Sequence, residues 1–92
     1  MIKHDEDKKM FFMVIEGQES HLLYRFIDKK SIDIYSTFVH QTHRGQGIAK
    51  KLVETCVEFA KNKDLKIKPS CSYVKDHFDR TPELKPLLLE SF

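Results

Sequence analysis

Two of the chain's three glycines fall in Arg44-Gly45-Gln46-Gly47-Ile48-Ala49, between an extended apolar segment and the first helical pattern. A strand that feeds a glycine-rich turn and then opens a helix leaves a row of backbone N–H groups free. The helix macrodipole adds the equivalent of about half a positive charge at that point. Such a turn holds an anion without needing a lysine. It also commits the chain to a strand–turn–helix unit, and the remaining elements must be arranged around that unit.

Periodicity supplies the neighbours. Met10 to Glu16 is almost entirely apolar and is expected to be a strand covered on both faces, or nearly so. Gly17-Gln18-Glu19-Ser20 is expected as a turn. His21 to Asp28 follows as a second strand, with Leu22, Tyr24 and Phe26 on one face. Lys29-Lys30 reverses the chain, and Ser31 to His40 is the third strand of an antiparallel meander. From Ile48 the period changes. Ile48, Ala49, Leu52, Val53, Cys56, Val57 and Ala60 form a helical stripe that Phe59 widens, and Asn62 to Asp64 ends it. Leu65 to about Cys71 is a fourth strand. A helix separates it from the third, so the two should be parallel through a right-handed crossover. Ser72 to Phe78 is expected as a short helix capped by Ser72, and Thr81-Pro82 starts a last turn or two. The chain is expected to be one mixed α/β (α+β) domain, residues 1–92.

Composition excludes several classes. A net charge of +2 is too small to argue for nucleic acid or an anionic membrane surface. The charged N-terminus lacks the apolar run of a signal peptide, and no segment approaches the roughly 18 apolar residues of a membrane span. Two cysteines are too few for a disulfide framework. The expected location is the cytoplasm.

Three phosphate-binding patterns compete for the glycine turn. A Walker A loop needs a lysine–hydroxyl pair that is absent here. A dinucleotide fingerprint begins well with Gly45-Gln46-Gly47, but Lys50 occupies its third small-residue position and Asp64 precedes the next strand instead of ending it. Arg44-x-x-Gly47-x-Ala49, by contrast, resembles the [Arg/Gln]-x-x-Gly-x-[Gly/Ala] pyrophosphate loop of the GNAT superfamily of acyl-CoA N-acyltransferases. Val39 resembles the valine ending that family's splayed strand, and Ile48 and Leu52 match its helix start. Thr37-Phe38-Val39, the loop, and Pro69-Ser70-Cys71-Ser72-Tyr73 together resemble the very short stand-alone branch, of about ninety residues, over about residues 9–79.

The resemblance implies a minimal GNAT fold and acetyl-CoA, or coenzyme A, as the bound cosubstrate. The donor's two phosphates would lie on the amides of Arg44, Gly45, Gln46, Gly47, Ile48 and Ala49, and the pantetheine arm would pair with the backbone of Phe38, Val39 and His40. Gly47→Val is expected to abolish acetyl-CoA binding with the fold intact. The implied reaction is acetyl transfer to an unidentified amine, on a small molecule or a protein.

Such a transfer asks for a deprotonated amine, donors for the oxyanion and a proton for the leaving thiolate. Cys71 would end the fourth strand where it splays from the third, and could act as nucleophile, as acid or base, or as a pocket wall. Tyr73 is an alternative acid. His40 is an alternative base, and Asp33 is the only carboxylate on the third strand. Cys56, on the helix's apolar stripe, belongs to the core. His40 and His43 lie three apart on a strand end and loop and have no second ligand pair, so no metal is expected. Lys61, Lys63, Lys66 and Lys68 are expected on a solvated face, where the adenosine 3′-phosphate could attract one of them. Two rivals to the enzyme stand beside it. One is a coenzyme-binding module without turnover, the other a protein-interaction domain on the same fold.

Overall fold

The computed structural model describes residues 1–90. A five-stranded sheet runs in the order β1-β2-β3-β4-β5. Its strands are β1 (Lys3–Asp5), β2 (Met10–Ile15), β3 (Gln18–Asp28), β4 (Ser31–Phe38) and β5 (Lys66–Pro69). The first four pair antiparallel and β4 pairs parallel with β5, so the sheet is the expected meander plus crossover with an added edge. The crossover is α1 (Ile48–Lys63), preceded by a 3-10 turn at Gln41–His43. Beyond β5 come α2 (Ser72–Arg80) and a 3-10 segment, Pro82–Leu87. The chain then covers the outer edge of β5, where Leu89 N–H donates to the Ile67 carbonyl at 2.9 Å.

One face of the sheet holds the core. Phe11 and Met13 of β2, Leu22 and Tyr24 of β3, Ile32 and Ile34 of β4 and Ile67 of β5 are all buried, and their cross-strand pairing places them on the same side. The stripe Ile48, Leu52, Val53, Cys56, Val57 and Ala60 of α1 packs onto them. Asp64 ends α1 in the left-handed conformation at φ 57°, a role glycine usually takes and short polar side chains tolerate. Its N–H and that of Leu65 close the last carbonyls of the helix.

Several elements differ from expectation, each for a visible reason. β2 is buried on one face only: Val14 is 54% exposed because no helix covers that side, where Ile27, Tyr35 and Phe38 are exposed too. β1 is an extra strand. His4 stacks on Phe11 at 4.0 Å and its Nε2 lies 2.6 Å from the Tyr24 hydroxyl, which anchors a charged terminus to the sheet. The polar run Gln18-Glu19-Ser20 is part of β3, and the hairpin turns through Glu16 and Gly17 alone. β4 stops at Phe38, two residues before His40, and β5 at Pro69, two before Cys71. Cys71, not Ser72, is the residue capping α2, and Thr81 makes no side-chain cap.

Candidate functional site

The Arg44–Ala49 loop is bent by two left-handed glycines, Gly45 at φ 83° and Gly47 at φ 73°. A Cβ on either would meet no protein atom within 4 Å, so the constraint is the backbone angle and the space in front is open. Gly47→Val would therefore strain the turn as well as fill the space, adding a stability cost to the expected loss of binding. The loop's own side chains brace it: Arg44 Nε donates to the Val39 carbonyl at 3.4 Å and Gln46 Nε2 to the Thr42 carbonyl at 3.2 Å. Arg44 N–H is tied to the Gln41 carbonyl and Lys51 N–H to that of Gly47. Among the described residues, the N–H groups of residues 45–50 have no protein acceptor. Beside them lies a cavity of about 230 Å³ lined by Val39, His43, Arg44, Gly45, Gly47, Ile48, Ala49, Lys50 and Tyr73.

Beside the loop, β4 and β5 part company. Their pairing ends at Ile34 and Pro69, after which Cys71 N–H donates to the Ile34 carbonyl at 3.0 Å. β4 continues alone to Phe38 with that edge open. Cys71 sits at the mouth of this divergence. Its Sγ donates to the Thr37 hydroxyl at 3.5 Å, and the residue takes the N-cap position of α2 without a side-chain capping bond. Partial burial pushes the thiol up, but hydrogen bonds from the Thr37 side chain and from the backbone of Val74, Tyr73 and Thr37 outweigh it. The net effect is a thiol below its ordinary range. Cys56 is the contrast: fully buried in the core, it is pushed up to about 12 by desolvation alone.

The other candidates are placed less favourably for proton transfer. Tyr73 is 41% exposed on the first turn of α2 and lines the cavity. His40 Nδ1 is held by Thr42, accepting its N–H at 3.2 Å and lying 2.9 Å from its hydroxyl. His40's backbone N–H donates to Ser20 and its carbonyl accepts from His43, so neither is open to a ligand, and the Val39 carbonyl is taken by Arg44. Asp33 is buried, and its Oδ2 accepts both Nε and Nη2 of Arg25 at 3.2 and 3.0 Å, so it is committed to an ion pair on β3. No group of three or more His, Cys, Asp or Glu side chains suited to a metal occurs among the described residues.

His43 is a structural part of the site that sequence reasoning read only as half of a weak metal pair. It is 3% exposed, and its Nδ1 lies 2.8 Å from Ser20 Oγ, which also accepts His40 N–H at 2.9 Å. Ser20 has one proton to give. Donating it to Nδ1 leaves the imidazole proton on Nε2, a buried nitrogen that has no protein partner among the described residues. This buried brace ties the loop's entry to β3. Ser20→Ala should remove both bonds and cost about 1–3 kcal/mol, a drop of roughly 5–15 °C in thermal midpoint. An unchanged midpoint by calorimetry would show that the brace is not formed.

Comparison with known proteins decides the lineage. Residues 10–87 match the family described as GCN5-related N-acetyl-transferase. The chain belongs to that family. It is 31% identical over 83 residues to Protein NATD1 of Xenopus tropicalis, covering 88% of this chain and 76% of that protein. The human protein of the same name is 30% identical over 83 residues, with 74% of its length covered. A GCN5-like protein of Staphylococcus aureus, solved by NMR, superposes with a TM-score of 0.78 at 31% identity, covering all of this chain and 90% of the other. Within this family the chain is a short member with the five-stranded mixed sheet described above. The matched span includes the glycine loop, Cys71 and Tyr73 and begins after β1.

The site's chemistry is compatible with an anionic ligand that carries an extended polar arm. Unpaired N–H groups at a helix start, open space at two glycines and an unpaired strand edge are the features such a ligand would use. No helix of the described residues is long and apolar enough to cross a membrane.

Proposed function

We propose that the protein is an acetyl-CoA-dependent acyltransferase that passes the acetyl group to an amine by way of Cys71. The observation that carries this reading is the conjunction of an anion-ready loop with its cavity, a strand end that parts from β5, and a thiol of lowered pKa bonded to Thr37 on that strand. The amides of residues 45–50 bind the pyrophosphate, and Phe38 and Val39 align the pantetheine arm along β4. The thiolate of Cys71 attacks the thioester carbonyl carbon. The carbon–sulfur bond to coenzyme A breaks, and that sulfur leaves as thiolate and takes a proton from solvent. The neutral amine then attacks the Cys71 thioester; the carbon–sulfur bond to Cys71 breaks as the amide forms, the amine's proton goes to solvent, and the Cys71 thiolate is restored.

Direct attack and aminolysis of a Cys71 thioester both need a neutral amine, so what supports the covalent route is the position of the thiol beside the end of β4. Asp33 is held by Arg25, and His40 Nδ1 is occupied at the 3-10 turn. The same observation also supports the second reading, a coenzyme-binding module without turnover, if no amine reaches the cleft.

Intact-protein mass spectrometry separates the two. Incubation with acetyl-CoA should add about 42 Da, one acetyl in place of a proton, and an accepting amine should then discharge it. Cys71→Ser should lose the adduct while Cys56→Ser keeps it. Acetyl-CoA binding with no adduct and no thiol released by any amine would reduce the protein to a binding module.

A further inference from the structure

An alkylamine is an ammonium ion at neutral pH and must lose a proton before it can attack a thioester. The uncovered face of the sheet carries a pair of side chains suited to take that proton. Ser20 and Leu22 are fully buried, so Glu19 and His21, which alternate with them along β3, project to the opposite, open face. His21 Nδ1 lies 2.8 Å from Glu19 Oε2. The cross-strand partner of His21 is Phe38, with the two ring centroids 5.4 Å apart. Phe38 ends β4, and the residue before it, Thr37, accepts the hydrogen bond of the Cys71 thiol. The pair thus stands one strand across from the end of β4, and neither of its members lines the loop cavity.

We infer that His21, held by Glu19, is the base that deprotonates the acceptor, and that the acceptor is a primary alkylamine arriving as an ammonium ion from the open face. This inference rests on the acyl-transfer reading above. A carboxylate only accepts, so Nδ1 carries the ring proton and Nε2 is the basic nitrogen. The Glu19 charge and the exposed ring of Phe38 both attract a cation to this place. One ammonium proton moves to Nε2, and the lone pair it leaves behind forms the bond to the carbonyl carbon of the Cys71 thioester. Glu19, at 2.8 Å, stabilises the imidazolium, which returns its proton to solvent on the open face.

The neighbours of the ring leave this role to it. Phe12 on β2 and Phe38 on β4 flank His21 without charge, and Lys3 on β1 follows Phe12 in the same row. His40, beyond the end of β4, has its Nδ1 taken by Thr42. His43 is bonded to Ser20 in the interior, and His4 to Tyr24.

The discharge of acetylated protein tests this. Wild type and His21→Gln, each acetylated with acetyl-CoA and freed of coenzyme, are mixed with Nα-acetyl-lysine amide or with hydroxylamine, and loss of the acetyl is followed by intact mass. Hydroxylamine is uncharged at pH 7 and needs no proton removed before it attacks. His21→Gln should slow discharge by the lysine derivative about a hundredfold at pH 7 and leave discharge by hydroxylamine unchanged. Glu19→Gln should show a smaller loss of the same kind, about tenfold. The deficit should shrink toward pH 10, where the alkylamine is largely neutral by itself. Equal rates with the lysine derivative in His21→Gln and wild type overturn the inference, as does equal slowing with both nucleophiles, which marks a structural role. If coenzyme thiol is released with the lysine derivative but no adduct forms, the covalent route fails and the same ratios are read from thiol release. If wild type neither takes up acetyl nor releases thiol, the acyl-transfer reading fails and this inference with it.

Discussion

Gly47→Asn is expected to fold as the wild-type protein does and to bind acetyl-CoA at least about thirtyfold more weakly. Gly47 precedes α1 at φ 73°, a conformation that asparagine adopts at small cost and a β-branched residue does not. The new side chain enters space that contains no protein atom. If a phosphate occupies that space, the amide displaces it and one or two charge-assisted bonds are lost. Each is worth about 1.5–3 kcal/mol, and a net loss of about 2 kcal/mol corresponds to the thirtyfold figure. Gly47→Val should show the same loss of binding together with a stability cost of roughly 1–3 kcal/mol from the forced positive φ. Calorimetric binding and thermal unfolding of the two variants separate the ligand effect from the backbone effect. Unchanged affinity in a folded Gly47→Asn protein would remove the loop from the site.

Leu52→Ala should have the largest effect on stability. Leu52 is fully buried on α1 beneath the sheet. Truncation forfeits its transfer free energy and leaves a cavity, about 3–5 kcal/mol together, in a domain whose total stability is on the order of 5–10 kcal/mol. The thermal midpoint should fall by roughly 15 °C or more. Val14→Ala, on the uncovered face of β2, should change stability by no more than about 0.5 kcal/mol. Urea unfolding of both variants tests the one-sided sheet. Similar losses at the two positions would mean that the Val14 face is covered in solution, and a loss below about 1 kcal/mol for Leu52→Ala would contradict the packing of α1.

The parts of this structure that sequence revealed are those encoded locally. The stripe from Ile48 to Ala60 has the helical period, so it located α1 and its buried face. The crossover then required β5 to run parallel to β4. The loop was legible because Gly45 and Gly47 sit where a strand pattern yields to a helix pattern. Features that depend on distant partners were not legible. Lys3-His4-Asp5 shows no apolar period, and it becomes a strand through His4 meeting Phe11 and Tyr24. Gln18 to Ser20 has the composition of a turn. It extends β3 because Ser20, fully buried, finds the His40 N–H and the His43 imidazole twenty or more residues away.

The same distinction applies to the site. Cys71 was placed beside the divergent strands from element order together with the family resemblance, and the structure adds Thr37 and the α2 backbone that tune its thiol. Asp33 remained a candidate base until its pairing with Arg25 was seen, since that pairing depends on the register of β3 against β4. Lys50 was read from sequence only as the residue that breaks the dinucleotide fingerprint, and the structure places it in the wall of the loop cavity.

The central claim is that the glycine loop and the open end of β4 bind the acyl donor. Backbone amide resonances followed during titration with acetyl-CoA test it most directly. The account predicts saturable shifts at one-to-one stoichiometry, largest at residues 45–50 and extending to Phe38 and Val39. Saturation that leaves those amides unmoved, or shifts concentrated on the uncovered face around Val14, Ile27 and Tyr35, would contradict it.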